Sequence, residues 1–186
     1  MYAVPRYAPL HAPIINEVAS IEDRTSLRVT PRRGIDKSRT ASAVVYCEAN
    51  FGAIDGKTAN GLVRHSEKYK ILTVIDSEKA GLDAGMVLDG VPNDIPICRS
   101  LADALTHAGY VPDYFIFGIA PASGMLSSHE RGLVLEAIDL GMNVVNGLHE
   151  FLNDDPVFAA ASAANNVRIL DAVSYTHLTL PTTPYV

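Results

Sequence analysis

Residues 41–172 predict an α/β fold: a Rossmann-like, doubly wound parallel sheet of five to six strands with helices on both faces. Two observations carry that expectation. Short apolar runs rich in β-branched residues recur along the segment, each bounded by Gly, Pro, Asn or Asp, and they are continuous rather than alternating, as strands covered on both faces are. Helix-length stretches with recognisable caps separate them, and a regular strand-helix alternation implies right-handed crossovers between parallel strands.

The first strand is expected at 43–47 (AVVYC), followed by the loop ANFGAIDGKTANG and a helix over 57–68. The second falls at 71–75 (ILTVI) and the third at 95–98, after which Ser100 caps a helix over 100–108 that Gly109 stops. A fourth strand at 114–119 (YFIFGI) leads to a helix over 128–140, where Ser127 and Glu130 have the spacing of a capping box and Gly141 marks the end. Residues 143–145 form the fifth strand. Asp155 then caps a helix over 156–164 with Pro156 at its first position, and 167–170 close the sheet.

A chain of 186 residues, 48% hydrophobic and 19% charged, has the composition of a single compact domain, which excludes collagen-like, mucin-like and wholly disordered classes. No apolar run reaches the length of a membrane span, and the first 20 residues lack the pattern of a secretion signal, so no membrane association and a cytoplasmic location are expected. Cys47 and Cys98 stand 51 positions apart without metal-ligand partners and read as buried thiols, with no metal site. The net charge of −6 is unevenly spread. Residues 1–40 carry seven basic and four acidic side chains, whereas 41–172 carry eight basic and seventeen acidic ones. The basic leader has no interleaved aromatic after Tyr7, so it reads as a solvated, partly disordered extension, not a nucleic-acid contact.

In doubly wound sheets ligands bind beyond the carboxyl ends of the strands, which directs attention to loops 48–57, 76–86, 120–128 and 146–155. The first places Gly52 and Gly56 before Lys57 and Thr58 at a helix start, a candidate anion cradle of backbone N–H groups and an ammonium. Gly52-x-x-x-Gly56-Lys57-Thr58 is one residue short of P-loop spacing, and a turn that packs helix closely on strand reads equally well. Asp76 ends the second strand 20 positions after Gly56, where dinucleotide-binding folds place a ribose acceptor; capping the next turn is its other reading. Asp83, with Gly81 and Gly85, lines the same cleft or shapes its loop. Ser123 and Gly124 bring backbone amides toward a ligand or make a tight turn. His149, among Asn146, Glu150, Asp154 and Asp155, is a candidate general base, ligand contact or packing residue.

Several ordered blocks, Lys57-Thr58-Ala59 with Gly61-Leu62, VIDSEKAGLDAG (74–85), IPI (95–97), FGIAPASGML (117–126) and GLHEFLNDDP (147–156), resemble the N-terminal Rossmann-like domain of the DgcN family, also known as DUF1611, which includes D-glutamate N-acetyltransferases. The resemblance implies acetyl transfer from acetyl-CoA to the amino group of a small D-amino acid such as D-glutamate. It also implies a following domain with a P-loop-like motif, suited to ATP or GTP, and an exposed face that favours homo-oligomers. The arginine-glycine loop of the common acetyltransferase fold is missing from the sequence, so the economical mechanism is direct transfer, with a base acting on the substrate ammonium and N–H groups on the oxyanion. His149 and His129 are the candidates for that base. The alternative is a nucleotide- or CoA-binding module without catalysis of its own.

The stretch from Val173 to Thr182 (VSYTHLTLPT) matches the translation of a transposase adaptor used in sequencing libraries, with the frame fitting at Ala172. Residues 173–186 are therefore expected to be a non-native tail, and the natural protein to continue beyond Asp171.

Overall fold

The computed structural model describes residues 40–121 and 123–172. Six strands, β1 (Ala41–Tyr46), β2 (Tyr69–Ile75), β3 (Ile97–Cys98), β4 (Tyr114–Phe117), β5 (Asn143–Asn146) and β6 (Ile169–Asp171), form one parallel sheet in the order β3-β2-β1-β4-β5-β6. Five helices join them: α1 (Lys57–His65), α2 (Ala84–Asp89), α3 (Leu101–Ala108), α4 (Ser128–Asp139) and α5 (Pro156–Ala164). This is the Rossmann-like doubly wound architecture that the alternation implies. The readings of residues 1–39 and of the tail, 173–186, lie outside the described residues.

β1 starts the winding in both directions. The chain steps outward through β2 and β3, returns through α3 to β4, and steps outward again through β5 and β6. Because such crossovers are right-handed, α1 and α2 cover one face, and α3, α4 and α5 cover the other. Burial on both faces explains the continuous apolar strands: from Ala43 to Cys47 no residue is more than 3% exposed, and Phe115, Ile116 and Phe117 on β4 are equally enclosed. Tyr46 stacks on Phe117 at 5.3 Å between ring centroids, tying β1 to β4 across their last register pair. At the opposite end, Ser42 donates through both its N–H and its hydroxyl to the buried Asp113 carboxylate, each at 2.8 Å.

Two departures from the sequence reading have local causes. Residues 84–89, of which 84–86 belong to the expected loop 76–86, form α2: Asp83 accepts the Met86 N–H at 2.9 Å and Gly90 ends the helix in the left-handed conformation. Flanking glycines and six-residue length hid it. The third strand shortens to Ile97–Cys98 because Pro96 has no N–H to give and Asp83 forms an antiparallel bridge with Pro96. The capping box at α4 is present as expected, with Ser127 accepting from Glu130 N–H and Glu130 accepting from Ser127 N–H. Such a cap contributes about 1 kcal/mol.

Candidate functional site

The loop from β1 to α1 is drawn tightly onto the sheet. A Cβ on Gly56 would lie 2.1 Å from the Asn50 carbonyl oxygen, and one on Gly118 would lie 2.8 Å from Val45 and 2.9 Å from Ala59, so both glycines allow α1 to seat on β1 and β4. This closeness engages two amides of the expected anion cradle, those of Gly52 and Lys57. Gly52 N–H donates to Asn60 Oδ1 at 2.9 Å, Lys57 N–H to the Ile54 carbonyl and Ala59 N–H to the Gly118 carbonyl. The Lys57 and Thr58 side chains point to an exposed surface.

Asp76 is wholly buried at the end of β2. Its carboxylate accepts the N–H groups of Phe51 and Glu78, both at 3.1 Å, and Lys79 Nζ approaches at 3.4 Å. Those partners fasten the first loop to the second, and a ribose would have to displace one of them. Beside it, both Glu48 carboxylate oxygens are taken by Ser77, one through the N–H at 2.8 Å and the other through the hydroxyl.

The loops after β4 and β5 do meet. A Cβ on Gly124, a residue at φ +66°, would touch the His149 ring at 3.6 Å. Ser123 is exposed, its hydroxyl turned onto its own loop at Met125. The exposed His149 side chain has no hydrogen-bond partner among the described residues, and Glu150 and Asp155, two of the acids near it in sequence, are committed elsewhere. Glu150 accepts from Leu126 N–H and from Arg131 at 2.7 Å, and Arg131 also pairs with Asp155 and lies over the Phe158 ring.

Across the sheet, between α3 and α4, a cleft of about 420 Å³ opens at the carboxyl ends of β1, β2 and β3. Tyr46, Ile75, Leu101 and Leu133 make its apolar lining, while Glu48, Ser77, Arg99, His129 and Glu136 bring polar groups to it. Tyr46 is 3% exposed overall, and its hydroxyl, without a hydrogen-bond partner among the described residues, opens onto the cleft; the enclosed polar side-chain atom without a partner among them is Thr73 Oγ1. Burial, with Glu130 and Glu48 nearby, pushes the phenol well above its ordinary value, so it is a neutral group able to donate and accept. A hollow of about 450 Å³ at the end of α1 and start of β2 lies at the amino edge, away from the strand-end loops. For a doubly wound sheet the carboxyl edge is the better candidate. The sequence reading named His129 but passed over Tyr46, Glu48, Ser77 and Arg99. A signal existed: the loop after β3 is the single residue Arg99 before the Ser100 cap, a strand-end connection too short to stand out.

Both cysteines are buried, as expected. Desolvation, reinforced by Asp76, pushes the Cys47 thiol up to about 12, and desolvation raises Cys98 to about 11, so neither is an activated nucleophile.

Residues 77–174, more than half of the chain, match the family described as "Domain of unknown function (DUF1611_N) Rossmann-like domain". The chain belongs to this family. A DUF1611 family protein from Anabaena variabilis, known from its crystal structure, aligns with a TM-score of 0.63 and 27% identity over 78% of this chain and 39% of that one. A D-glutamate N-acetyltransferase from a Pseudoalteromonas species is 35% identical over 57 residues, 31% of this chain and 17% of the relative. GenD2 from gentamicin A biosynthesis, crystallised with NAD, shares the fold, with a TM-score of 0.50 and 15% identity over 75% of this chain and 36% of that one. This chain therefore spans well under half the length of these relatives. The DUF1611_N match takes in Ser77, Arg99, Ser123, Gly124, His129 and His149, and begins one residue past Asp76. In this DUF1611 domain the α3 and α4 walls of the cleft thus lie inside the matched segment, whereas Gly52, Gly56, Lys57 and Thr58 lie before it. No helix among the described residues is long and apolar enough to cross a membrane.

Proposed function

We propose that this domain is the Rossmann-like half of an enzyme that transfers an acetyl group from acetyl-CoA to the amino group of D-glutamate or a similar small D-amino acid. The observation that carries the reading is the 35% identity over 57 residues with a D-glutamate N-acetyltransferase, within a chain of the DUF1611 family. In the reaction the amine nitrogen attacks the thioester carbonyl, the C–N bond forms as the C–S bond breaks, a base takes the ammonium proton, and the departing CoA thiolate is protonated. His149, exposed at the meeting of two strand-end loops, and His129 at the cleft are the imidazoles in place to act as that base. Nucleotide binding by a P-loop-like second domain, with ATP or GTP, belongs to the same proposal, as do homo-oligomers and a cytoplasmic setting.

The second reading, a binding module without chemistry of its own, is supported by one feature: His149 lacks the orienting carboxylate partner that a general base commonly has, since Glu150 and Asp155 both serve Arg131. A chimaera decides between them. Residues 41–171 are exchanged for the equivalent segment of the Pseudoalteromonas D-glutamate N-acetyltransferase, and CoA thiol release is followed alongside N-acetyl-D-glutamate by mass spectrometry. Turnover that falls at least tenfold in His149→Ala or in His129→Ala is the expected result. A folded chimaera that binds acetyl-CoA but releases no thiol sinks the catalytic reading. The 186-residue chain alone is expected to show no turnover.

A further inference from the structure

The carboxyl edge of the sheet carries apolar side chains that the described residues leave uncovered. Ile54, in the loop after β1, is 86% exposed, Met125, after β4, is 60% exposed, and Phe151 and Val157, after β5, are 41% and 53% exposed. Three of them precede a buried neighbour: Leu126, Leu152 and Phe158 are enclosed and anchor their segments, while Met125, Phe151 and Val157 are left in solvent. Single exposed apolar residues are ordinary on a surface, but these four share one edge. Their loops are also bonded to one another. Ala120 N–H donates to the Asp55 carbonyl at 3.0 Å, next to Ile54, and Leu126 N–H donates to Glu150 at 2.7 Å, between Met125 and Phe151. Arg131 then joins Glu150 to Asp155, two residues before Val157.

The path of the chain out of the sheet bears on what covers this edge. β6 runs parallel to β5 and ends at the same carboxyl edge, where the Asp171 carboxylate accepts the N–H groups of Leu152 and Asn153 at 3.2 and 3.1 Å. The exit is therefore fastened to the residue after Phe151, and a domain attached beyond Asp171 starts beside the exposed apolar side chains. The larger part of the Anabaena DUF1611 protein, of which 39% aligns with this chain, has no counterpart here. A second copy of this chain fits the edge less well. Residues 41–172 carry seventeen acidic against eight basic side chains, and Asp55 and Asp154 stand exposed close to Ile54 and Phe151, so two such edges repel each other.

We propose that the edge formed by Ile54, Met125, Phe151 and Val157 is the docking surface for the domain that follows Asp171 in full-length members of the family, whose matching face is apolar with a basic rim. The inference rests on the acetyl-transfer reading for the existence of that domain, and it adds where the domain sits. His149, beside Gly124 and between the loops of Met125 and Phe151, then lies at the boundary of the two domains. The test needs no turnover, so the two proposals fail separately: an inactive chimaera with a protected edge keeps the docking surface and sinks catalysis, and an active chimaera with a bare edge does the reverse.

The test is thiol footprinting in two settings, the 186-residue chain and the chimaera that joins residues 41–171 to the rest of the Pseudoalteromonas enzyme. Met125→Cys and Phe151→Cys report on the edge, and Tyr110→Cys, exposed in the connection that enters β4, reports on a surface at the opposite end of the strands. Peptide mass spectrometry reads each site, with the buried Cys47 and Cys98 as the check of folding. In the 186-residue chain all the introduced thiols are expected to label at similar rates, whatever the protein concentration. In the chimaera, labelling at 125 and 151 is expected to slow about tenfold or more while labelling at 110 is unchanged. Equal labelling at the three sites of a folded chimaera overturns the proposal. Concentration-dependent protection of 125 and 151 in the 186-residue chain also overturns it, because a second copy is then the occupant. A chimaera that labels rapidly at Cys47 and Cys98 has not folded, and the comparison passes to the full-length Anabaena relative with cysteines at the positions aligned with 125, 151 and 110. Protection confined to the first two is expected there, and equal labelling overturns the proposal.

Discussion

Asp76 and Phe51 are joined across two loops: the buried carboxylate at the end of β2 accepts the Phe51 amide at 3.1 Å, fixing the first strand-end loop to the second. Phe51 is itself fully buried. Replacing Asp76 by Ala leaves that N–H without an acceptor and is expected to cost about 2 kcal/mol of stability, read from urea unfolding. Asp76→Asn, which keeps one acceptor oxygen, should recover part of it. Equal stability in all three proteins would remove the structural role and return the residue to a ligand.

Gly56 and Gly61 make a pair of opposite sign. Gly56→Ala drives a Cβ to within 2.1 Å of a backbone carbonyl oxygen, and a loss of about 3 kcal/mol is expected as α1 is pushed off the sheet. Gly61 lies inside α1 with nothing within 4 Å of a Cβ, so Gly61→Ala should add about 0.5–1 kcal/mol through helix propensity. Thermal midpoints moving in the same direction for both variants would contradict the packing described.

Arg131 serves Glu150, Asp155 and the Phe158 ring together, whereas Arg64 reaches only Asp89 and the Leu88 carbonyl on an exposed surface. Arg131→Ala should therefore lower the urea midpoint more than Arg64→Ala does. The same contact sets a pH dependence. Hydrogen bonding from Arg131, with the Val157 N–H, holds the Asp155 carboxyl below its ordinary value of 3.8, so its folded-state pKa is depressed. The stabilisation is complete above 3.8 and is lost as pH falls through the lower folded value. A stability gap between the unaltered chain and Asp155→Asn that is wide at pH 6 and closes in acid is the expected outcome.

The two thiols give a probe of folding. With Cys47 pushed up to about 12 and Cys98 to about 11 by burial, a disulfide reagent at pH 8 should react slowly with the folded chain and release two equivalents after denaturation. Because both folded values lie above the unfolded 9.0, the thiols' contribution to stability should be constant below pH 9 and decline as the unfolded thiols ionise above it. Rapid labelling of the folded protein would show that β1 or β3 opens readily.

The strand runs were legible because parallel strands buried on both faces must be apolar at every position, and no helix among the described residues competes with ILTVI or YFIFGI for that pattern. Helices with side-chain caps were legible for the same kind of reason, since Ser127 with Glu130, and Asp155 with Pro156, act within one turn. The short α2 was not, because its cap sits in a glycine-rich segment whose propensity favours turns, and the pairing of Asp83 with Pro96 that stabilises it comes from farther along the chain.

Candidate site residues divide along the same physical line. Sequence by itself determined the fold class, the strand-end loops and the chemical types available in them, because these follow from local periodicity, capping and residue identity. Only tertiary structure decided which groups remained available. The Asp76 carboxylate and the Gly52 amide proved to be spent on Phe51 and Asn60, 25 and 8 positions away, while Tyr46, legible only as a core strand residue, ends in a cleft shared with Arg99 on the next helix connection and Glu136 on α4. Hydrogen-bond satisfaction is a property of three-dimensional neighbours, and a linear pattern does not encode it.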